Sequence, residues 1–427
     1  MQTHAFTFFV KALFYFMESD KLLPNLFRSE YRNIVSVVAY SFGIKHIEIA
    51  EDIVSDTFLS AAESWSWQGT PENPRAWLYA VARNKIKNFL KRNSLFEASI
   101  AKEIAATAEK TEEFELDLSV KNIADSQLAM IFTVCNPVNA AESQISLALN
   151  LLCGFNVQEI ADAFLTNREV VYKRINRAKQ KLKEENIRIA PPGQQEIQER
   201  LEAVLMILYL MFSEGYYSMS QNRILRKDLC KEAMRLTLLL IENATTNRPS
   251  AQALYALMCF HASRFDARED KQGETVLYDD QDQSLWDHDL IKRGTFYLNM
   301  SSVGSIVSRY HLEAGIAYWH TQKEDTHAKW KHIVELYNHL LAIQYSPIAA
   351  LNRTYALSKR DGKQVAIVEA EKLDLHNSPY YHALLGDLYS GIDNSKALHH
   401  FEDALVLIQS PRTQAAIRRS MSALKAS

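Results

Sequence analysis

The dipeptide Ser-Pro occurs at Ser346-Pro347, Ser378-Pro379 and Ser410-Pro411, with 32 residues between successive occurrences. Between these marks Ser358 aligns with Ser390, Asp361 with Asp393, Leu373 with Leu405 and Leu375 with Leu407. A fixed period in the low thirties marks a helix-pair solenoid, because one such unit buries its apolar face only against its neighbours. The rest of the chain supports the same all-α class. Its 427 residues include only 12 glycines and 10 prolines, and long stretches of helix formers show little β-branched alternation.

A chain of this length predicts more than one domain. The four cysteines (Cys135, Cys153, Cys230, Cys259) contain no C-x-x-C pair, so neither a zinc site nor a disulfide framework is expected, and a reducing cytoplasm fits. The longest apolar run in the body, Ala203 to Phe212 (AVLMILYLMF), is about half of the ~20 residues that a membrane span requires. It reads as a helix buried on all sides, and no membrane partner is expected. The N-terminal AFTFFVKALFYFM lacks a basic leading region and a small-residue cleavage site, so a signal peptide is not expected. Residues 1–16 read as an extension, with Met17 an alternative start.

Charge is concentrated rather than spread. The stretch DAFLTNREVVYKRINRAKQKLK (Asp162 to Lys183) holds seven Lys or Arg against two acids, in a chain of formal net charge -3. Before it, VQEIADAF places Ile160, Ala161 and Phe164 on one helical face. Thr166 and Asn167 follow as capping residues. A second helix then runs from about Arg168 to Glu184, with Val170 or Val171, Ile175, Ala178 and Leu182 as its inward stripe. Arg168, Tyr172, Lys173, Arg174, Arg177, Lys179, Lys181 and Lys183 fall mainly on the remaining faces. The small Ala161 allows the close helix crossing that a helix-turn-helix needs. Its second helix places N-terminal side chains at base edges while flanking cations hold phosphates. A solvated charged helix is the alternative.

A second basic helix lies upstream in NPRAWLYAVARNKIKNFLKR, where Asn73 caps and Pro74 suits the first helical position. Arg75, Arg83, Lys85, Lys87, Lys91 and Arg92 carry six positive charges with no acid between them. The preceding WSWQGTPEN reads as a loop carrying Trp65, Trp67, Gln68 and Asn73. Rings and amides beside a cationic helix suit unpaired, unstacked bases; core anchoring is the other reading of both tryptophans. Further upstream, Ala50 to Trp65 is amphipathic, with Glu51, Asp52, Ser55 and Asp56 facing outward. Acid beside DNA-binding elements repels phosphate, so this face suits a basic protein surface or solvent.

The order of these parts resembles an extracytoplasmic-function sigma factor of the bacterial sigma-70 family. Three stretches carry the likeness: LFRSEYRNIVSVVAYSFGIKHIEIAEDIVSDTFLSAAESW, NPRAWLYAVARNKIKNFLKR and QISLALNLLCGFNVQEIADAFLTNREVVYKRINRAKQKL. The first two look like region 2 and the third like region 4. The resemblance implies that Glu51, Asp52 and Asp56 dock on the β′ clamp of RNA polymerase core, with the β flap as a further contact. It implies that Trp67, Gln68, Asn73, Arg75, Arg83, Asn84, Lys87, Asn88, Lys91 and Arg92 take the melted −10 strand. It implies that Asn167, Arg168, Glu169, Tyr172, Lys173, Arg174 and Arg177 read the −35 element of promoter DNA. The chain departs from the family pattern at several positions. The common Gln-Asp pair is Ser55-Asp56, a frequent Asp is Asn88, the usual turn Gly is Leu165, and a hydrophobic turn residue is Thr166. Promoter sequences therefore do not carry over.

The expected domains are an N-terminal extension (1–16), region 2 (17–95), an acidic linker (96–125), region 4 (126–190) and a helical extension (191–427). Within the linker, Glu97 to Asp117 holds seven acids against two lysines. Ala190-Pro-Pro-Gly193 breaks the helix before the extension. In the extension, YYHALLGDLYSGIDNSKALHHFEDALVLIQSP resembles a tetratricopeptide repeat through Leu385, Gly386, Tyr389, Ala397, Phe401, Ala404 and a terminal proline, so repeats are expected over 315–427 with a protein or peptide partner. DSQLAMIFTVCNP, LYLMFSEGYYS and LYALMCFHASRFDARE resemble the sigma-factor subset with long helical extensions, although its Cys-Cys-His-Pro stretch is Val134-Cys135-Asn136-Pro137 here. A calcium loop counted from Asp280 fails, with Leu285 at the turn glycine and Ile291 at the bidentate acid; capping by Asp282 or Ser284, with Trp286 inward, is expected instead. No Walker loop, dinucleotide turn or catalytic constellation is present, so no enzyme, metal or cofactor is expected. The rival readings are a ligand- or partner-responsive helix-turn-helix regulator with a repeat-type sensor, and a scaffold whose basic helices bind anionic partners.

Overall fold

The computed structural model describes residues 22–92, 116–217, 223–270, 276, 278–304, 306–408 and 411–426. The expected N-terminal extension and most of the acidic linker lie outside the described residues. Among the described residues there are eighteen α-helices and no strand. The chain divides into two compact units, Met1–Thr246 and Asn247–Ser427.

The first unit contains α1 (Leu22–Phe42), α2 (Ile47–Gln68), α3 (Pro74–Arg92), α4 (Val120–Val134), α5 (Ala141–Leu147), α6 (Val157–Ala163), α7 (Arg168–Glu184), α8 (Gln194–Tyr217) and α9 (Arg223–Glu242). α2 buries Ile47, Ala50, Ile53, Val54, Thr57, Phe58 and Ala61, a run at helical spacing that faces α1 and α3. It continues through Trp65 and Trp67 to Gln68, so the expected loop is shortened to its last five residues. Gly69, at φ +78, ends the helix in a conformation that costs a side-chain-bearing residue energy. α4 begins at Val120, inside the expected linker, because the Ser119 hydroxyl accepts from the Asn122 amide. A π-helical stretch, Ala148–Leu152, extends α5.

α1 packs on both α2 and α4, so the two basic modules are in contact rather than strung apart. α8 and α9 pack on one another and on α4. The division at Thr246 therefore leaves these two helices of the extension with the basic modules, past the break at Ala190–Gly193. α8 carries the AVLMILYLMF run. Val204, Leu205, Ile207, Leu208, Met211 and Phe212 are buried, but Ala203 is exposed, so the helix is covered on most sides rather than all. No described helix is long and apolar enough to cross a membrane.

The second unit contains α10 (Pro249–Ala262), α11 (His288–Ser301), α12 (Arg309–Trp319), α13 (His327–Ile343), α14 (Pro347–Asp361), α15 (Lys363–Glu371), α16 (Pro379–Tyr389), α17 (Asn394–Leu407) and α18 (Pro411–Ala426). Every residue from Ala253 to Phe260 is buried, and α11 and α12 both lie against this helix. The three Ser-Pro marks fall at the starts of α14, α16 and α18, with Ser346 and Ser378 at N-cap positions and proline first in each helix. Gly386 explains how closely α16 and α17 approach: a Cβ there would lie 2.6 Å from the Phe401 ring. Asp282 accepts from the Ser284 amide and Trp286 is buried, as the capping reading of the acidic patch expects.

Candidate nucleic-acid and polymerase interface

At the end of α2, the two tryptophans part company. Trp65 is half-buried and meets Trp77 of α3 edge-on at 5.4 Å. Trp67 is 91% exposed. A bare indole of this size is an unusual thing to leave in water unless a flat partner covers it. Gln68 and Asn73 are also exposed, and Asn73 Oδ1 caps α3 by accepting from the Ala76 amide at 3.0 Å. Along α3, Arg83, Lys87 and Lys91 are exposed at successive four-residue steps, with Asn84 and Asn88 exposed beside them. Arg83 also donates to the Leu116 carbonyl at 3.1 Å. Arg75 is held by the Tyr79 hydroxyl and Glu30. Lys85 turns the other way and pairs with Asp56. The Arg92 side chain lies outside the described residues.

The two helices expected for a helix-turn-helix are α6 and α7, which pack on one another. Asn156 and Glu159 make a reciprocal capping box at the start of α6, and Asn167 Oδ1 accepts from the Val170 amide at 2.9 Å at the start of α7. Of the two candidate valines, Val171 is the buried one and Val170 is exposed. Ile175, Ala178 and Leu182 complete the inward stripe. Arg168, Glu169, Tyr172, Lys173 and Arg177 are exposed in the first three turns, together with Asn167. Arg174 is half-buried and 3.2 Å from a carboxylate oxygen of Glu142, so its guanidinium is already engaged.

The last two turns of α7 behave differently from the sequence-based expectation. Lys179 is buried, not solvated, and its ammonium donates to both oxygens of Glu51 at 2.8 and 2.6 Å. One turn on, Lys183 donates to both oxygens of Glu48. The C-terminal half of the basic helix thus lies across the acidic face of α2. Of the three carboxylates assigned to polymerase, Glu51 is covered, Asp56 is paired with Lys85, and Asp52 alone is exposed without an ion pair among the described residues. Partial desolvation, then the adjacent Glu51 and Glu48 charges, raise the Asp52 pKa, with Lys179 opposing.

Behind this face a polar junction ties three parts of the first unit. Arg28 of α1 pairs with Glu159 of α6 and Asp228 of α9. Arg32 of α1 pairs with Glu232 of α9, which also holds Arg235. Arg235 donates to Gln127 of α4 at 3.0 Å and to the Leu152 carbonyl at 2.8 Å, and Gln127 donates to Asn33 of α1 at 2.8 Å. Gly154, at φ +71, brings this turn against the Arg28 backbone. Sequence reasoning missed all of these residues. Arg28 and Arg32 stand four apart on α1, as do Asp228 and Glu232 on α9; that matched charge pattern is the signal that could have found them.

Comparison with known proteins gives the class of this interface. The Sigma-70 region 2 family matches residues 26–96, which hold α1 to α3 and the exposed Trp67. A family of unknown function, DUF6596, matches residues 200–302. The chain belongs to one family with an uncharacterised protein of Rhizobium meliloti (strain 1021), to which it is 32% identical over 387 residues, 90% of this chain and 91% of that protein. The region 2 match supports a sigma-70 family member, a family whose partners are RNA polymerase core and promoter DNA. The chain is also 28% identical over 148 residues to the RNA polymerase sigma factor NccH of Alcaligenes xylosoxydans xylosoxydans, covering 34% of this chain and 76% of that one. No solved structure matches.

Proposed function

We propose that this chain is an extracytoplasmic-function-type sigma factor that recruits RNA polymerase core to a small promoter set. In this reading Trp67, Gln68, Asn73 and the exposed face of α3 hold the melted −10 strand. The exposed first turns of α7 read the −35 element as double-stranded DNA, and the acidic face of α2 docks on the β′ clamp. The observation that carries the reading is Trp67, 91% exposed beside an α3 face that presents Arg83, Lys87 and Lys91. Stacking on an exposed ring captures an unpaired base, a need that a simple double-strand repressor does not have.

The described arrangement is the resting form of that protein. Lys179 occupies Glu51, and Lys183 beside it occupies Glu48, on the face that the clamp would use, so docking on polymerase requires α7 to lift from α2. The helix pairs of the second unit, with Gly386 seated against Phe401, support tetratricopeptide-like repeats and a protein or peptide partner that regulates this release. The protein performs no chemistry itself; polymerase supplies the active site.

Run-off transcription with purified core polymerase on a randomised promoter library tests the assignment. The expected result is transcripts that start downstream of one recurring pair of elements. Sequence-specific DNA binding without any core-dependent transcript would instead establish the helix-turn-helix regulator with a sensor domain.

A further inference from the structure

In the second unit, the facing sides of α16 and α17 bring together two imidazoles and a carboxylate that helix packing alone does not call for. His382 is buried, and its Nε2 lies 2.8 Å from the carbonyl oxygen of His376. A carbonyl only accepts, so Nε2 carries the proton and Nδ1 is left with a free lone pair. That lone pair faces Nδ1 of His400 at 3.2 Å and Oδ2 of Asp403 at 3.5 Å. All three donor atoms lie within 4.8 Å of one another.

These separations have a direct geometric meaning. Ligand atoms at the usual zinc distances of about 2.0–2.2 Å, arranged tetrahedrally, stand about 3.3–3.6 Å apart. The outer contacts also fit. Metal-bound histidines characteristically donate their second ring N–H to a carbonyl or carboxylate, as His382 does to His376. The His400 ring is stacked on Tyr389 with an interplanar angle of 14°, and the Tyr389 hydroxyl donates to Glu371 at 2.6 Å, which fixes the ring plane. On the solvent side, His399 Nε2 is 3.6 Å from the same Asp403 oxygen, within reach of a fourth position.

We propose that His382, His400 and Asp403 bind a divalent transition-metal ion of the zinc class and so clip α16 to α17. Two imidazoles with one carboxylate suit zinc, cobalt or nickel and do not suit calcium or magnesium, which take oxygen ligands. Because the ligands come from both helices, the ion stabilises their packing by mass action.

Titration of the metal-free full-length protein with Co²⁺ tests the site. The expected result is one equivalent bound, with the intense visible bands of a tetrahedral ion and no thiolate charge-transfer band, since all four cysteines are buried elsewhere. Zn²⁺ should displace the cobalt and raise the melting temperature of the second unit. Asp403→Asn, at a partly exposed position, should weaken binding by at least about tenfold while leaving the metal-free protein folded, and His382→Gln should do the same. Absence of stoichiometric binding overturns the proposal, as does binding that both variants leave unchanged. The two rings would then be joined by an ordinary hydrogen bond from His400 to His382.

Discussion

Leu165 occupies the turn between α6 and α7 at φ +49, with its side chain largely in water. A left-handed conformation costs a residue with a Cβ roughly 1–2 kcal/mol, and an exposed leucine recovers little of that by burial. Leu165→Gly should therefore stabilise the first unit by roughly 0.5–1 kcal/mol, after the added freedom of glycine in the unfolded chain is subtracted. Urea denaturation of the two proteins measures this, and an unchanged or lower midpoint would contradict it. Trp67 makes the opposite kind of test. Being almost wholly exposed, its replacement by alanine should leave stability within about 0.5 kcal/mol but weaken single-stranded −10 DNA binding by about 1–3 kcal/mol. Fluorescence anisotropy with a labelled oligonucleotide checks the second figure. Both residues stand out in the sequence, one as a missing glycine and the other as a tryptophan in a polar stretch. The sequence left open which tryptophan was the anchor, because Trp65 and Trp67 are two apart and only the position of Trp77 on α3 decides between them.

At the scale of helices, local signals were legible and lateral ones were not. Asn73, Asn167 and the Ser-Pro marks each start a helix because capping depends on residues within a turn of the cap. α2 ran past its expected end because Gly69, not the Trp-Ser-Trp run, is the residue that breaks it. α7 shows the limit most clearly. Its inward stripe of Val171, Ile175, Ala178 and Leu182 follows from spacing, yet Lys179 also turns inward, towards a carboxylate supplied 128 residues earlier in the chain. No periodicity encodes that. Lys179→Ala should leave Glu51 without its ion pair at a nearly covered position, loosening α7 from α2 by roughly 1–3 kcal/mol. Hydrogen exchange across α2 and α7 should then accelerate, and affinity for core polymerase in a pull-down should rise. Gly386→Ala probes the second unit in the same way: the added methyl meets the Phe401 ring, so α16 and α17 must separate, at a cost of about 1–3 kcal/mol.

For the whole molecule, the junction of Arg28, Arg32, Gln127, Glu159, Asp228, Glu232 and Arg235 decides where the chain can be cut. Removal of everything after Thr246 keeps α8 and α9 and should preserve the closed first unit. Removal after Gly193 deletes Asp228, Glu232 and Arg235 and strands the arginines of α1, so α1 to α3 and the α6–α7 pair should come apart. Small-angle scattering of the two truncations distinguishes the outcomes, and equal compactness would show that α8 and α9 do not hold the modules together. The second unit should respond to acid. Burial, then the nearby Arg264 and Lys329 charges, push His320 down to about 3, against an ordinary value of 6.5. The unfolded chain takes up this proton as pH falls through 6.5, while the folded chain refuses it until about 3. Stability present at neutral pH is therefore lost progressively across that window. The pH dependence of α12 amide exchange should show this loss, and His320→Gln should make it shallower, with the remainder carried by His261, which burial also pushes well down.

The pairing of Lys179 with Glu51 has one more consequence when DNA and polymerase are regarded as two ligands of a single equilibrium. On the proposed function, the closed form withholds the acidic face from polymerase and holds the basic helix against α2. A ligand that prefers the form with α7 lifted from α2, on either side, makes the other side available. Thermodynamic reciprocity then requires that promoter DNA tighten polymerase binding by the same factor by which polymerase tightens promoter binding. The two ligands become each other's effectors through the shared contact of α7 with α2, with no direct touch between them needed.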